Sequence, residues 1–305
     1  MYVPILTCST LAILSAAAPM PEKSNICKKT ASHALTACKK EASATYWLER
    51  AKCVNLIDAD EREACVDDAV EALHEALDEC KEQYSARLEL CKSLGGGAYD
   101  PPIDPTLFVL GIANPLMPLV PGTTWVYEKT TDEGLETITY TVTSATKTIL
   151  GVECAVVHDV VDVDGVVTED TFDWFAEDID GNVWYFGEFS VEYENGELAG
   201  LAGSWTAGID GAKPGIVMFA APIVGEVYRQ EFLLGEAEDV AGVLSLSASV
   251  TVPWGDFVGC LQTEDYSPLE PGHVEHKFYA PGVGLVLELN PESGDRTELV
   301  SITTN

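Results

Sequence analysis

The sequence predicts an α+β protein in which an N-terminal, disulfide-stapled antiparallel helical hairpin precedes a large antiparallel β meander, curled into a barrel or half-barrel. Two observations predict this order. The cysteines between residues 27 and 91 are spaced symmetrically, as they would be if they faced each other across two antiparallel helices. Beyond residue 122, apolar and polar residues alternate, which is the period of a strand with one buried and one wet face.

Residues 1–18 have the features of a secretory signal peptide, because an apolar run begins at Val3 and closes on small residues from Ser15 to Ala18. We expect this leader to be removed together with Cys8, which leaves eight of the nine cysteines. An even number of cysteines is typical of a protein from an oxidising compartment. The predicted location is secreted, periplasmic or at the cell surface, and no later stretch reads as a transmembrane segment.

Residues 24–94 are predicted to form the helical hairpin, because this segment is rich in Ala, Lys, Glu and Leu and contains neither Gly nor Pro. Its six cysteines are separated by 11, 15, 12, 15 and 11 residues, a series that is the same in both directions. Two antiparallel helices that fold back near residue 59 give this symmetry. The predicted disulfides are therefore Cys27–Cys91, Cys38–Cys80 and Cys53–Cys65.

The alternative for these cysteines is a metal site, which their wide spacing and the scarcity of nearby histidines disfavour. The spacing loosely resembles that of the twin Cx9C (coiled-coil-helix) family, whose helical hairpins also carry paired cysteines. In that family nine residues lie between the paired cysteines, whereas here ten or fourteen residues lie between successive cysteines of a helix, and a third pair is present. The resemblance therefore implies no particular function. A pair of long helices held together by disulfides is itself more typical of a spacer or docking arm than of a catalytic unit.

Residues 95–121 are predicted to be a Gly/Pro linker, since three glycines are followed by six prolines. The charge of the chain changes sharply at this point. Residues up to 98 carry 15 acidic and 11 basic side chains, whereas those from 99 onward carry 35 acidic and six basic ones. The net charge of −33 thus belongs almost wholly to the acidic antiparallel β domain predicted over residues 122–305. Such a surface repels phosphate backbones, so we expect no nucleic-acid partner.

Within the β domain, alternation is clearest in residues 136–143 and 243–252, where apolar residues alternate with Thr or Ser. Asp164-Gly165 and Asp180-Gly181 are turn signals between further strands. Neither turn carries the full set of acidic residues that an EF-hand calcium loop requires. The two remaining cysteines, Cys154 and Cys260, are expected to form a fourth disulfide. The alternative is that both are buried free thiols.

Asp159 and Asp170 form the candidate site of the β domain. If the turn at Asp164-Gly165 contains two residues, the flanking strands pair so that these two carboxylates face each other, on the apolar side that carries Trp174. Facing carboxylates need compensation, which a shared proton or a bound cation such as calcium provides. A slip of one residue in the register would instead turn them outward. No other metal, cofactor or catalytic residue is assigned.

Four segments resemble a family of uncharacterised secreted bacterial β-proteins. They are DIDGNVWYFGE (178–188), DGAKPGIVM (210–218), YRQEFLLGEAED (228–239) and FYAPGVGLV (278–286). The last segment also resembles envelope lipoproteins in which a curved sheet holds a hydrophobic ligand. The resemblance covers residues 115–300 and excludes the hairpin. It implies a β fold and a bacterial envelope or extracellular setting, and it supplies no catalytic residues.

The leading functional hypothesis is a secreted or cell-envelope binding or surface protein without enzymatic activity. Its acidic β domain would bind a cation, a basic protein partner or an apolar ligand, and the hairpin would serve as a spacer or docking arm. One alternative is a hydrolase that uses Asp159 and Asp170 as paired carboxylates. Another is a structural subunit that self-associates through exposed sheet edges or the hairpin.

Overall fold

The computed structural model describes residues 25–304, so the predicted signal peptide and Cys8 lie outside the described residues. Two long helices come first, α1 (Ile26–Val54) and α2 (Ala59–Ser93). Asp58 caps α2, because its carboxylate accepts hydrogen bonds from the N–H groups of Asp60 and Glu61. Over residues 25–304, no helix is both long and apolar enough to cross a membrane.

The three predicted disulfides of the hairpin are confirmed. The Cα–Cα distances are 5.8, 5.8 and 5.5 Å for Cys27–Cys91, Cys38–Cys80 and Cys53–Cys65. The axes of packed helices usually lie about 8–10 Å apart, and small residues at the seam allow a closer approach. Ala31, Ala42 and Ala69 are buried at this seam. The symmetric cysteine spacing was therefore sufficient to predict both the hairpin and its pairing.

The hairpin is fastened to the β domain by a buried ion pair. The guanidinium of Arg87 in α2 donates to both carboxylate oxygens of Glu238, with Nη2 at 2.7 Å from Oε1. Arg87 is 5% exposed and Glu238 is 1% exposed. Gln83, one turn earlier, donates to the carbonyl oxygen of Leu269 at 3.0 Å. The base of the hairpin is thus part of the packed body of the protein.

Sixteen strands follow the hairpin, preceded by a short 3₁₀ helix at Pro105–Leu107. Their bounds are β1 (Phe108–Val109), β2 (Thr123–Thr131), β3 (Gly134–Ile149), β4 (Val152–Val163), β5 (Val166–Asp178), β6 (Val183–Glu194), β7 (Glu197–Gly200), β8 (Trp205–Thr206), β9 (Lys213–Met218), β10 (Val227–Arg229), β11 (Glu231–Phe232), β12 (Val240–Val252), β13 (Gly255–Tyr266), β14 (Val274–Ala280), β15 (Gly284–Leu289) and β16 (Arg296–Thr304).

These strands form one antiparallel sheet that is nearly closed and barrel-shaped, as the sequence predicted. Neighbouring strands run in the order β10-β12-β13-β14-β15-β16-β2-β3-β4-β5-β6-β9-β11, with β1 paired to β5 and both β7 and β8 paired to β6. Only Gln230 separates β10 from β11. Since these two strands lie at opposite ends of the order, the ends of the sheet come together there.

The segment predicted as a linker contributes to the β domain. Ile112 and Leu119 are buried in the apolar core of the barrel. Asn114 is 3% exposed, and its amide donates to the carbonyl oxygens of Gly181 and Phe219. Apolar residues between the prolines therefore pack against the sheet, although the prolines themselves prevent regular structure.

The β domain has two apolar cores, because successive residues of a strand point to opposite faces. In β4, Val157 packs into the core inside the barrel, whereas Cys154 and Val156 pack into a second core on the opposite face. Cys260 in β13 belongs to the inner core. The prediction of a Cys154–Cys260 disulfide is therefore wrong: both cysteines are buried free thiols, held in different cores.

This arrangement predicts a specific pattern of thiol labelling. In the unreduced protein under denaturing conditions, an alkylating reagent is expected to modify Cys154 and Cys260 and to leave the six hairpin cysteines unmodified. In the native protein, burial should protect both thiols, since burial raises the pKa of Cys154 to about 12. Peptide mapping by mass spectrometry measures the labelling. A disulfide-linked peptide that joins the two cysteines would contradict the structure.

Candidate binding cavity

The two predicted site residues do not face each other, because a bulge shifts the register between β4 and β5. Next to the turn, Val163 pairs with Val166, as a two-residue turn requires. The register then shifts by one residue between the pairs Val161–Glu169 and Asp162–Val167. Beyond the shift, Asp159 lies opposite Thr171 and Asp170 lies opposite Val160. The two carboxylates consequently point to opposite faces of the sheet.

Asp170 lies on the face away from the barrel interior. Its Oδ1 lies 2.7 Å from Nε2 of His158, and the imidazole of His158 stacks on Phe172 with ring centroids 4.4 Å apart. Trp174 belongs to the same face, where the ammonium group of Lys147 lies 3.0 Å from its ring centroid. The face that carries Asp170 and Trp174, on which the sequence predicted the site, is therefore the outer face of the barrel. Among the described residues, no group of three or more His, Cys, Asp or Glu side chains has a geometry that suits a metal ion.

Asp159 lies instead on the wall of a cavity of about 380 Å³ inside the barrel. Most of the wall is apolar or aromatic. Neighbouring strands contribute adjacent rings, because Trp125 in β2 pairs with Tyr140 in β3, and Tyr140 pairs with Asp159 in β4. The aromatic residues on the wall are Trp125, Tyr127, Tyr140, Phe175, Tyr185 and Tyr279.

The cavity wall carries a large excess of acidic over basic side chains. Its acidic residues are Asp159, Glu169, Asp173, Glu231, Asp239 and Glu288, and its one basic residue is Lys277. The ammonium group of Lys277 lies 3.3 Å from Oε1 of Glu288, so this cation already has a partner. Five carboxyl groups on the wall therefore have no direct cationic partner within the described residues.

Asp159 is the least satisfied of these groups. Its Oδ1 is buried and has no hydrogen-bond partner within residues 25–304. Burial raises the pKa of Asp159 well above its usual value, and the nearby carboxylates of Asp173, Glu169 and Glu288 raise it further. A buried acceptor without a donor costs free energy, which a ligand that donates a hydrogen bond would recover.

Asp173 is the second acidic group at this end of the cavity. It is 8% exposed, and its Oδ1 accepts a hydrogen bond of 2.7 Å from the hydroxyl of Tyr185. Burial raises the pKa of Asp173 to about 7, although the Tyr185 hydrogen bond opposes that rise. Glu169, two residues before Thr171, accepts hydrogen bonds from the hydroxyls of Thr171 and Ser190. The Asp173 carboxyl thus changes charge close to neutral pH.

The sequence reasoning identified Asp159 and missed Asp173 and Glu169. Both lie on the same face of β5 as Phe175. The register assumed from the sequence placed this face on the outside of the sheet. The signal that was available is Asp173 itself, since a carboxylate between Phe172 and Trp174 interrupts an apolar run in a strand. The position of the bulge, which turns Asp173 inward, cannot be derived from that signal.

The second predicted turn is an ordinary loop and not a cation site. The carboxylate of Asp178 accepts hydrogen bonds from the backbone N–H groups of Asp180 and Asn182. Its Oδ2 accepts from the side chains of Asn182 and Trp184. These bonds hold the pKa of Asp178 below its usual value, against the opposing effect of burial. The carboxylate therefore serves to close the loop between β5 and β6.

Comparisons with known proteins yield little. No family model matches the sequence, and no curated protein matches it. Among solved structures, the chain is similar to a crystal structure described as a "putative lipoprotein from Parabacteroides distasonis". The identity is 14% and the TM-score is 0.30, over 62% of this chain and 98% of the other. At this TM-score the similarity carries no argument about fold or function.

Proposed function

We propose that this protein is an extracytoplasmic binding protein without enzymatic activity, and that its barrel cavity holds a small organic cation with an apolar body. The observation that carries the proposal is the carboxyl group of Asp159, which belongs to the wall of an aromatic cavity and whose buried Oδ1 has no donor within the described residues. A primary or substituted ammonium group supplies the donor, and its positive charge stabilises the ionised form of the Asp159 carboxyl when the ligand binds.

The charge and shape of the cavity favour this class of ligand. With Lys277 engaged by Glu288, an ammonium group is attracted by the remaining carboxylates and by the faces of the surrounding aromatic rings. A cavity of about 380 Å³ has the size typical of small-molecule sites. Calcium is less suitable, because it requires six to eight oxygen ligands in one shell and much of this wall is apolar.

The extracytoplasmic location is supported by the three disulfides of the hairpin, which are characteristic of oxidising compartments. The hairpin is proposed to act as a docking arm. Its base is held by the Arg87–Glu238 pair, whereas its far end exposes a group of large apolar side chains. They are Trp47, Leu48, Val54 and Ile57, which are 64%, 66%, 67% and 98% exposed.

The proposal is tested by calorimetric titration with butylammonium and with its neutral counterpart, butanol. Wild-type protein is expected to bind butylammonium and to bind butanol more weakly. Asp159→Asn should weaken butylammonium binding about tenfold or more, since a charge-assisted hydrogen bond contributes about 1.5–3 kcal/mol. Asp170→Asn, on the same hairpin but the opposite face, is the matched control and should bind within about twofold of wild type.

The affinity for butylammonium should also rise between pH 6 and pH 8. Ligand binding requires ionised carboxylates, and the Asp173 carboxyl loses its proton in this range because its pKa is about 7. Equal binding of butanol and butylammonium would indicate an apolar-ligand site and overturn the proposal. Binding of calcium alone, or an equal effect of the two variants, would overturn it as well.

A further inference from the structure

A second cavity, of about 350 Å³, lies between the base of the hairpin and the β domain. Both parts of the protein contribute to its wall. The α-helices and the segment after α2 provide Ala31, Leu94 and Tyr99, and the β domain provides a larger apolar surface. That surface consists of Trp184, Ile216, Phe219, Tyr228, Phe232 and Leu234. This hairpin-base pocket is therefore mainly apolar and aromatic.

Arg229, the last residue of β10, lies on the wall of the hairpin-base pocket. It is 8% exposed, and its Nε and Nη1 are buried without a hydrogen-bond partner in the described part of the chain. Its guanidinium carbon lies 4.6 Å from the ring centroid of Phe232 and 5.6 Å from that of Tyr99. The rings hold the guanidinium in place but accept no conventional hydrogen bonds from it.

The buried charged side chains around this pocket are not all paired with a side chain of opposite charge. Arg87 and Arg229 are both buried, and the one carboxylate buried beside them, Glu238, is bound by Arg87. Across residues 25–304, Arg229 has no carboxylate within 4 Å of its nitrogens. Tyr99 cannot supply the negative charge, because burial raises its pKa to about 12 and its hydroxyl donates to the carbonyl oxygen of Pro214. Glu226, also on the wall, is partly exposed.

We propose that the hairpin-base pocket binds a monocarboxylate with an apolar body, whose carboxylate accepts hydrogen bonds from Arg229. The unpaired guanidinium nitrogens and the single positive charge of Arg229 suit one carboxylate, since guanidinium groups bind carboxylates well. The apolar and aromatic wall matches a hydrocarbon chain or ring. A multiply charged phosphate is a poorer ligand, because the protein carries a net charge of −33 and offers one guanidinium here.

The test uses thermal unfolding of the full protein with hexanoate, and separately with inorganic phosphate. Hexanoate is expected to raise the Tm of the wild type in a concentration-dependent way, and phosphate at the same concentration to leave it unchanged. Arg229→Met should abolish the hexanoate effect. Without ligand, this variant should be as stable as the wild type or more so, because replacing a buried unpaired charge with an apolar side chain removes a desolvation cost.

Two further variants make the result specific. Arg296→Met removes a surface arginine whose guanidinium is bound by Glu298, and it should retain the hexanoate effect in full. Asp159→Asn changes the barrel cavity and should also retain it, so the two sites are tested separately. If Arg229→Met fails to fold, Arg229→Lys keeps the charge and should bind hexanoate about tenfold or more weakly. An absent hexanoate effect, or one unchanged by either Arg229 variant, overturns the proposal, as does a response to phosphate alone.

Discussion

Replacing Arg87 with methionine is expected to lower the free energy of unfolding by about 3–5 kcal/mol. The substitution leaves the buried carboxylate of Glu238, which is 1% exposed, without its cationic partner. The remaining donor to that carboxylate is the backbone N–H of Gly235, at 2.9 Å. Denaturant unfolding, followed by tryptophan fluorescence with the disulfides intact, measures the loss.

Two controls distinguish the buried pair from the loss of a long side chain. Lys92→Met removes a surface cation of α2 that pairs with Glu89, and its effect should be below about 1 kcal/mol. The double variant Arg87→Met with Glu238→Leu removes both charges, and it should recover most of the stability lost by the single variant. If Arg87→Met proves as mild as Lys92→Met, the hairpin is not held to the β domain by this pair.

The Arg87–Glu238 pair also shows why the sequence predicted the hairpin itself but not its attachment. The cysteine spacing is a property of the hairpin alone, so it predicts α1, α2 and the three disulfides without reference to the rest of the chain. Arg87 and Glu238 are 151 residues apart. In the sequence, each resembles the many charged residues of a solvated surface, and no periodicity connects them.

The prediction of the candidate site failed for a similar reason, because one local irregularity in the strand pairing could not be derived from the sequence. The strands, the turn at Asp164-Gly165 and the acidic excess were all predictable from composition and alternation. A single bulge in the β4–β5 pair then exchanged the two faces, which placed Asp159 and Asp173 in the cavity and Asp170 outside. Since the side-chain period of a strand is two, a shift of one residue inverts every assignment beyond it. Bulge positions depend on packing between strands that the sequence does not display.

The second large effect concerns pH: the protein is expected to lose stability as the pH rises from 5 to 9. Burial is the largest cause of the raised pKa values of three carboxyl groups, Asp173 at about 7, Glu231 at about 8 and Glu188 at about 9. In the unfolded chain these groups titrate near pH 4. Between about pH 4 and these raised values, the folded state therefore binds more protons than the unfolded state, and its stability falls with rising pH.

Asp173→Asn isolates one of these contributions. An asparagine cannot ionise, and its oxygen can still accept the hydrogen bond from Tyr185. In the wild type, the Asp173 carboxyl lowers the free energy of unfolding by about 1.4 kcal/mol for each unit of rising pH, until the pH reaches its folded pKa of about 7. The stability of Asp173→Asn relative to the wild type should therefore increase by about 3 kcal/mol between pH 5 and pH 9.

The control for this experiment is Asp180→Asn, which changes an exposed carboxyl in the loop between β5 and β6. Its stability relative to the wild type should be the same at pH 5 and pH 9, because this substitution lies on the surface and leaves the buried carboxyl groups unchanged. Urea unfolding at both pH values gives the free energy of unfolding of each of the two variants relative to the wild type, at pH 5 and at pH 9. A wild type that is more stable at pH 9 than at pH 5 would contradict the expected pH dependence. If the two variants respond alike, Asp173 is ionised in the folded protein at low pH. The cavity would then already contain a charge that compensates it.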